Sequence, residues 1–143
     1  MPSVQYNKYD SILPSGWYYI SDTDTGWKRK LAKSSEYFFV NPTPIVTAKN
    51  FKDVTLFHKK SCYALFIQLD SSGSKAWALA LLKAKGKKLA FILDDSLLQI
   101  PVVDAGFARD DPREYGHILA LPCFSYSPAE LKKFETIIER ENR

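Results

Sequence analysis

The sequence predicts an α+β fold: an antiparallel sheet of short strands and hairpins, with two main helices packed on one face. Three observations carry that expectation. Between residues 71 and 84, Trp77, Ala80, Leu81 and Ala84 follow the i, i+3, i+4, i+7 spacing of one helical face. Ser127-Pro128-Ala129-Glu130 is a capping box with proline at the first helical position, and Leu131, Phe134, Ile137 and Ile138 continue it as an apolar stripe. The other apolar runs are short and bounded by Asp, Asn, Gly and Pro, which is the pattern of strands joined by tight turns.

Taken in order, residues 1–15 are polar, hold Tyr6 and Tyr9, and read as a loosely held arm. Trp17 to Ile20 is rich in strand formers. Asp22-Thr23-Asp24-Thr25-Gly26 is a turn signal, with Trp27 to Leu31 as the return strand of a hairpin. The turn offers oxygen ligands but lacks the length and terminal glutamate of a calcium loop, so turn chemistry is the reading. Glu36 to Val40 is a further strand. Asn41-Pro42-Thr43-Pro44 breaks it as an internal joint, since too few residues precede it to build a separate core. Ile45 to Thr47 leads to a strand over Asp53 to Phe57, a turn at His58 to Ser61, and the most clearly apolar strand, Cys62 to Leu69. In that strand Tyr63, Leu65, Ile67 and Leu69 share one face.

The stretch from Ser71 to Val103 is the centre of the chain. Asp70, Ser71 or Ser72 offers the N-cap oxygen of its helix, and Gly86 suits the C-terminal stop. Burial of Trp77 and Leu81 contributes roughly 1.5–3 kcal/mol each. Leu79 and Leu82 lie outside the stripe, which predicts a helix covered on more than one side, while Lys75, Lys83 and Lys85 keep their heads in water. Leu89 to Leu93 and Leu97 to Ile100 form a hairpin turned by Asp94-Asp95, residues that tolerate positive φ, and Pro101 ends it. Residues 109–116 read as an exposed loop and His117 to Leu121 as a strand before the capped helix, which should pack beside the first.

At 143 residues the chain fits a single domain, with a strand-rich segment over 1–43 ahead of the body over 44–143. A hydrophobic share of 45% and an aromatic share of 14% exclude disorder. No apolar run reaches the roughly 18 residues of a membrane span. The N-terminus lacks the blocks of a signal peptide, which places the protein in the cytoplasm if Met1 is the native start and outside it if a leader was removed. Twenty basic against sixteen acidic residues give a net +4, too mild for a nucleic-acid partner. Lys83, Lys85, Lys87 and Lys88 are the densest basic cluster and Lys28-Arg29-Lys30 the next, and both read as solvated. Cys62 and Cys123 leave bridged and unbridged forms open, with slight preference for unbridged.

His58 and His117 have no partner at metal-ligand or nucleophile spacing, and there is no C-x-x-C or phosphate-cradling glycine loop. Asp94-Asp95 and Asp110-Asp111 are adjacent pairs that diverge on turns. The expectation is therefore no catalytic, cofactor-binding or metal residues, and no enzyme. Candidate contacts for a protein partner are Trp27, Arg109, Arg113 and Tyr115, aromatic and basic residues of the kinds enriched in binding hot spots.

From Pro44 to Glu141 the succession PIVTAKNFKDV, IQLDSSGSKAWALALL, GKKLAFILDDSLLQIPVV and FSYSPAELKKFETII resembles the periplasmic head region of SecD, the membrane-embedded accessory of the bacterial Sec translocase. The resemblance lies in the order of a P-V-V-T-like entry, a strand ending in Asp, a helix, an apolar hairpin ending in Pro, and a final helix opened by Ser. The chain departs from SecD in having no transmembrane helix and a different Tyr/Trp-rich N-terminal segment, so it is not expected to act as a translocase motor. The resemblance implies a non-catalytic domain that contacts other polypeptides, placed outside the cytoplasm. The alternative reading is a cytoplasmic immunity-type inhibitor that blocks a toxin domain. The sequence names no partner and no oligomeric state.

Overall fold

In the computed structural model, residues 12–23, 25–59, 62–103, 118–122 and 126–143 are described. Strands β1 (Gly16–Ile20), β2 (Trp27–Lys30) and β3 (Tyr37–Thr47) lead through one 3-10 turn to β4 (Phe51–Lys59) and β5 (Cys62–Leu69). Helix α1 (Ser71–Lys83), the hairpin β6 (Leu89–Leu93) and β7 (Ser96–Gln99), then β8 (Ile118–Pro122) and helix α2 (Pro128–Asn142) follow. The α+β architecture of short antiparallel strands with two helices is as expected. Its strands divide between a five-stranded sheet, in the order β2-β3-β1-β6-β7, and a three-stranded sheet, in the order β4-β5-β8.

The capping signals act where the sequence places them. Asp70 accepts a 2.7 Å hydrogen bond from the Gly73 amide at the start of α1. Gly86, with φ at 80°, turns the chain after the helix. At α2 the Glu130 amide donates to Ser127 Oγ, and the Ser127 amide donates back to the Glu130 carboxylate at 2.9 Å. That backbone donor is the main reason the Glu130 carboxyl is held below its ordinary range. Asp94 and Asp95 adopt φ of 51° and 65°, the left-handed pair that a two-residue hairpin turn requires.

Period-two alternation sends the five-stranded sheet into two cores. From β6, Leu89, Phe91 and Leu93 join a large cluster, while Ala90 and Ile92 join a smaller one on the opposite face. The large cluster gathers Leu65, Ile67 and Leu69 of β5, Trp77 and Leu81 of α1, and the Leu131, Phe134, Ile137, Ile138 stripe of α2. Trp17 is its hub, with ring centroids 4.4 Å from Phe91, 5.6 Å from Trp77 and 6.1 Å from Phe51. The smaller cluster collects Leu13, Tyr18, Val40, Ala90, Ile92 and Leu97. It is enclosed because the five-stranded sheet rolls until its two edges meet. Leu31, just past β2, bridges Leu97 of β7 in parallel, and the Ala32 amide donates to the Leu97 carbonyl at 2.9 Å.

Several expectations are corrected, among them the turn placed at His58 to Ser61, since β4 runs on through His58 and Lys59. The hairpin between β1 and β2 is not formed: β3 lies between them, pairing Val40 with Trp27 on one edge and with Ile20 on the other. The turn before β2 instead lies flat against β3, where a Cβ on Gly26 would come within 2.6 Å of the Val40 carbonyl. Asn41 to Pro44 does not break the strand, because β3 runs through it as an irregularity, with Tyr18 opposite Pro44 and Ile20 opposite Val40. Past Val40, β2 no longer pairs with β3, so the amides that proline lacks are not needed on that edge. Helix α1 is covered on one side only: Leu79 is 54% exposed and Leu82 77% exposed.

Ser15 ties the start of this body to its end. It is buried, with its amide and hydroxyl both donating to the Glu141 carboxylate of α2. The Asp94 amide donates to Ser15 Oγ at 2.9 Å, so a single hydroxyl joins β1, the β6–β7 turn and α2. Around it, Arg140 pairs with Asp94 at 3.3 Å and Arg29 with Asp95 at 3.0 Å, while the Leu13 amide donates to Asp95. The two aspartates are thus turn formers, as expected, and also anchors. The loosely held arm expected over residues 1–15 is thereby corrected at its end, since Leu13 and Ser15 are buried and bonded; residues 1–11, the 109–116 loop, His117 and Cys123 lie outside the described residues.

Candidate functional site

A concave surface lies where the C-terminal end of α1 meets β1 and β3. Strand β1 presents Tyr19 and Ile20, and β3 presents Phe38 and Asn41. The turn after α1 supplies Lys87 and Lys88 beside Lys83. Together with Asp22 and Ala84 they enclose an open groove of about 500 Å³.

Its chemistry is cationic over aromatic. Lys83 Nζ sits 5.5 Å from the Tyr19 ring centroid, and Lys88 Nζ 6.0 Å from that of Phe38. Burial pushes the Tyr19 phenol above its ordinary value, and its hydroxyl can both donate and accept a hydrogen bond. The three lysines are exposed at their heads, and Asp22 is the acidic member of the lining. Ring faces, an apolar side chain at Ile20 and exposed ammonium donors can make apolar, cation–π and hydrogen-bonding contacts. Among the described residues no group of three His, Cys, Asp or Glu side chains converges as a metal site would need.

Of the candidate contacts, Trp27 is half-buried on β2 and packs against the smaller core, outside the groove lining. Arg109, Arg113 and Tyr115 lie outside the described residues. The groove residues were only half-visible in the sequence. The Lys83–Lys88 cluster stands out by density, whereas Tyr19 and Phe38 reach it from strands far earlier in the chain, and no local pattern connects them.

A profile of the SecDF P1 head subdomain matches residues 25–116. Two solved structures share the fold. One is a crystal structure of SecDF in its super-membrane-facing form, with a TM-score of 0.53 and 15% identity over 73% of this chain and 13% of that one. The other is a structure of SecDF, described as a membrane component that enhances protein export, with a TM-score of 0.54 and 12% identity over 99% of this chain and 70% of that one. This chain therefore spans only a small part of the first structure. No curated protein sequence matches it. Among the described residues no helix is long and apolar enough to cross a membrane.

Proposed function

The chain belongs to the family of SecDF P1 head subdomains, and from that premise we propose that it is a non-catalytic, extracytoplasmic domain that contacts other polypeptides. The family match is the observation that carries this reading, and the groove supplies a place for the contact. Tyr19 and Phe38 offer ring faces to side chains of many kinds, while Lys83, Lys87 and Lys88 offer donors to carbonyls and carboxylates without demanding one sequence. Residues 1–143 act in this reading as one unit. The inhibitor reading draws no support from family or fold.

The test is photo-crosslinking with the purified full chain and a permanently unfolded polypeptide, such as a reduced and carboxymethylated protein. A photoreactive residue at Lys87, inside the groove, should capture the polypeptide, and one at the exposed Lys132 on α2 should not. Equal capture at both positions, or none at Lys87, refutes the groove as the contact surface.

A further inference from the structure

The net positive charge of this protein is concentrated in one segment. Between Asp70 and Asp94 stand Lys75, Lys83, Lys85, Lys87 and Lys88, with no acidic residue among them. The chain has twenty basic and sixteen acidic residues, so removing these five lysines leaves fifteen against sixteen. All five are exposed. They bracket in sequence the outer side of α1, opposite the buried Trp77, Ala80 and Leu81, where Leu79 and Leu82 project one turn apart at 54% and 77% exposure, and Lys83, Lys87 and Lys88 also line the groove at its C-terminal end.

We propose that this outer face of α1 docks reversibly on an anionic lipid surface, with Leu79 and Leu82 entering the headgroup–acyl boundary and the lysines lying among the headgroups. Basic residues flanking an exposed apolar helical ridge are the pattern of a helix lying in a membrane interface. A helix of 13 residues is about 20 Å long, which sets Lys75 at one end of the ridge and the Lys83–Lys88 cluster at the other. The ridge is convex. It offers a flat, deformable surface room to meet both leucines with Lys75 and Lys85, and exposed Lys83, Lys87 and Lys88 stand at the groove's rim beside it, whereas an extended peptide finds its concavity in the groove alongside. Lys83, Lys87 and Lys88 border both this face and the groove, whereas Leu79, Leu82, Lys75 and Lys85 lie outside the groove lining, and the proposal is tested on those four.

The experiment is co-sedimentation of the full chain with vesicles of phosphatidylcholine alone and of equimolar phosphatidylcholine and phosphatidylglycerol. Binding is expected to the anionic vesicles only, and to be lost in about 0.5 M salt as the charges are screened. Lys85→Ala should weaken it about fivefold and Lys75→Ala by a similar factor. Leu79→Ser with Leu82→Ser, both on exposed positions, should weaken it at least tenfold, to order of magnitude. The same leucine variant should leave photo-capture at Lys87 unchanged, and this separates the two sites. Equal binding to neutral vesicles overturns the proposal, as does absence of binding to anionic ones. If the leucine variant binds as the parent does, or if soluble polyglutamate displaces the vesicles, the face recognises negative charge in general, an acidic polypeptide included, and the lipid assignment fails.

Discussion

Replacing Ser15 with alanine should destabilise this fold far more than an ordinary serine substitution. The hydroxyl is buried, donates to the Glu141 carboxylate and accepts from the Asp94 amide. A hydrogen bond to a charged acceptor contributes about 1.5–3 kcal/mol, and leaving an amide without its acceptor costs about 1–3 kcal/mol when buried and less at an exposed residue such as Asp94, where water can replace the acceptor. Glu141 is only half-buried and keeps its bond from the Ser15 amide, so the lower parts of these ranges apply. The expected loss is about 2 kcal/mol, which at roughly 2–4 °C per kcal/mol for a chain of this size lowers the melting temperature by roughly 4–8 °C. Urea unfolding followed by tryptophan fluorescence should show a lower midpoint at unchanged slope. A double-mutant cycle with Glu141→Gln should return a coupling energy of at least about 1 kcal/mol. A Ser15→Ala loss below about 0.5 kcal/mol, or a cycle without coupling, would refute the three-way junction.

Other perturbations probe the rest of the fold. Trp77→Ala empties the centre of the large core and should cost roughly 3–5 kcal/mol in chemical denaturation. Ser127→Ala removes the hydroxyl half of the α2 cap and should cost about 1 kcal/mol, whereas Ser127→Asp should restore most of it. Alkaline pH should destabilise the protein through two phenols. Burial first, helped by nearby Glu130, pushes Tyr126 up to about 12, and burial with Glu141 and Asp95 nearby pushes Tyr18 further up still. A folded-state value above the unfolded one means this stability is complete below the ordinary phenol value of 10.0 and declines as pH rises through about 12. Stability of Tyr18→Phe, which also loses the bond to the Pro14 carbonyl, should fall less steeply on that limb. Asp95→Val should disfavour the hairpin by placing a β-branched residue at φ 65° and removing the Arg29 partner, seen as a loss of about 1–3 kcal/mol in thermal melts.

What the sequence disclosed depended on whether the determining contacts were local. The α1 stripe, the α2 capping box and the Asp94-Asp95 turn are each written within a few residues, and each stands where the spacing predicts. Strand order is set by partners far apart. The hairpin expected from Asp22 to Gly26 fails because β3, ten residues further on, offers both of its edges and takes the place between β1 and β2. Pro42 and Pro44 read as a break because proline removes a ladder donor, and nothing local shows that β2 has ended before reaching them. Leu79 and Leu82 look like core residues on hydropathy alone, and only the direction of the helix relative to the sheets reveals them as surface. The groove follows the same rule: its lysines were conspicuous, and its rings arrive through tertiary pairing.

The junction at Ser15 also has a mechanical side. It clamps the residue that enters β1 to one in the last turn of α2, so the body is gripped at neighbouring points where chain enters and leaves. Tension applied between those points bears on this clamp before it reaches either core. Once the clamp yields, α2 can peel away from the three-stranded sheet while the rolled sheet holds its seam. Pulled in this way, the protein should extend in two steps, with the helix released first.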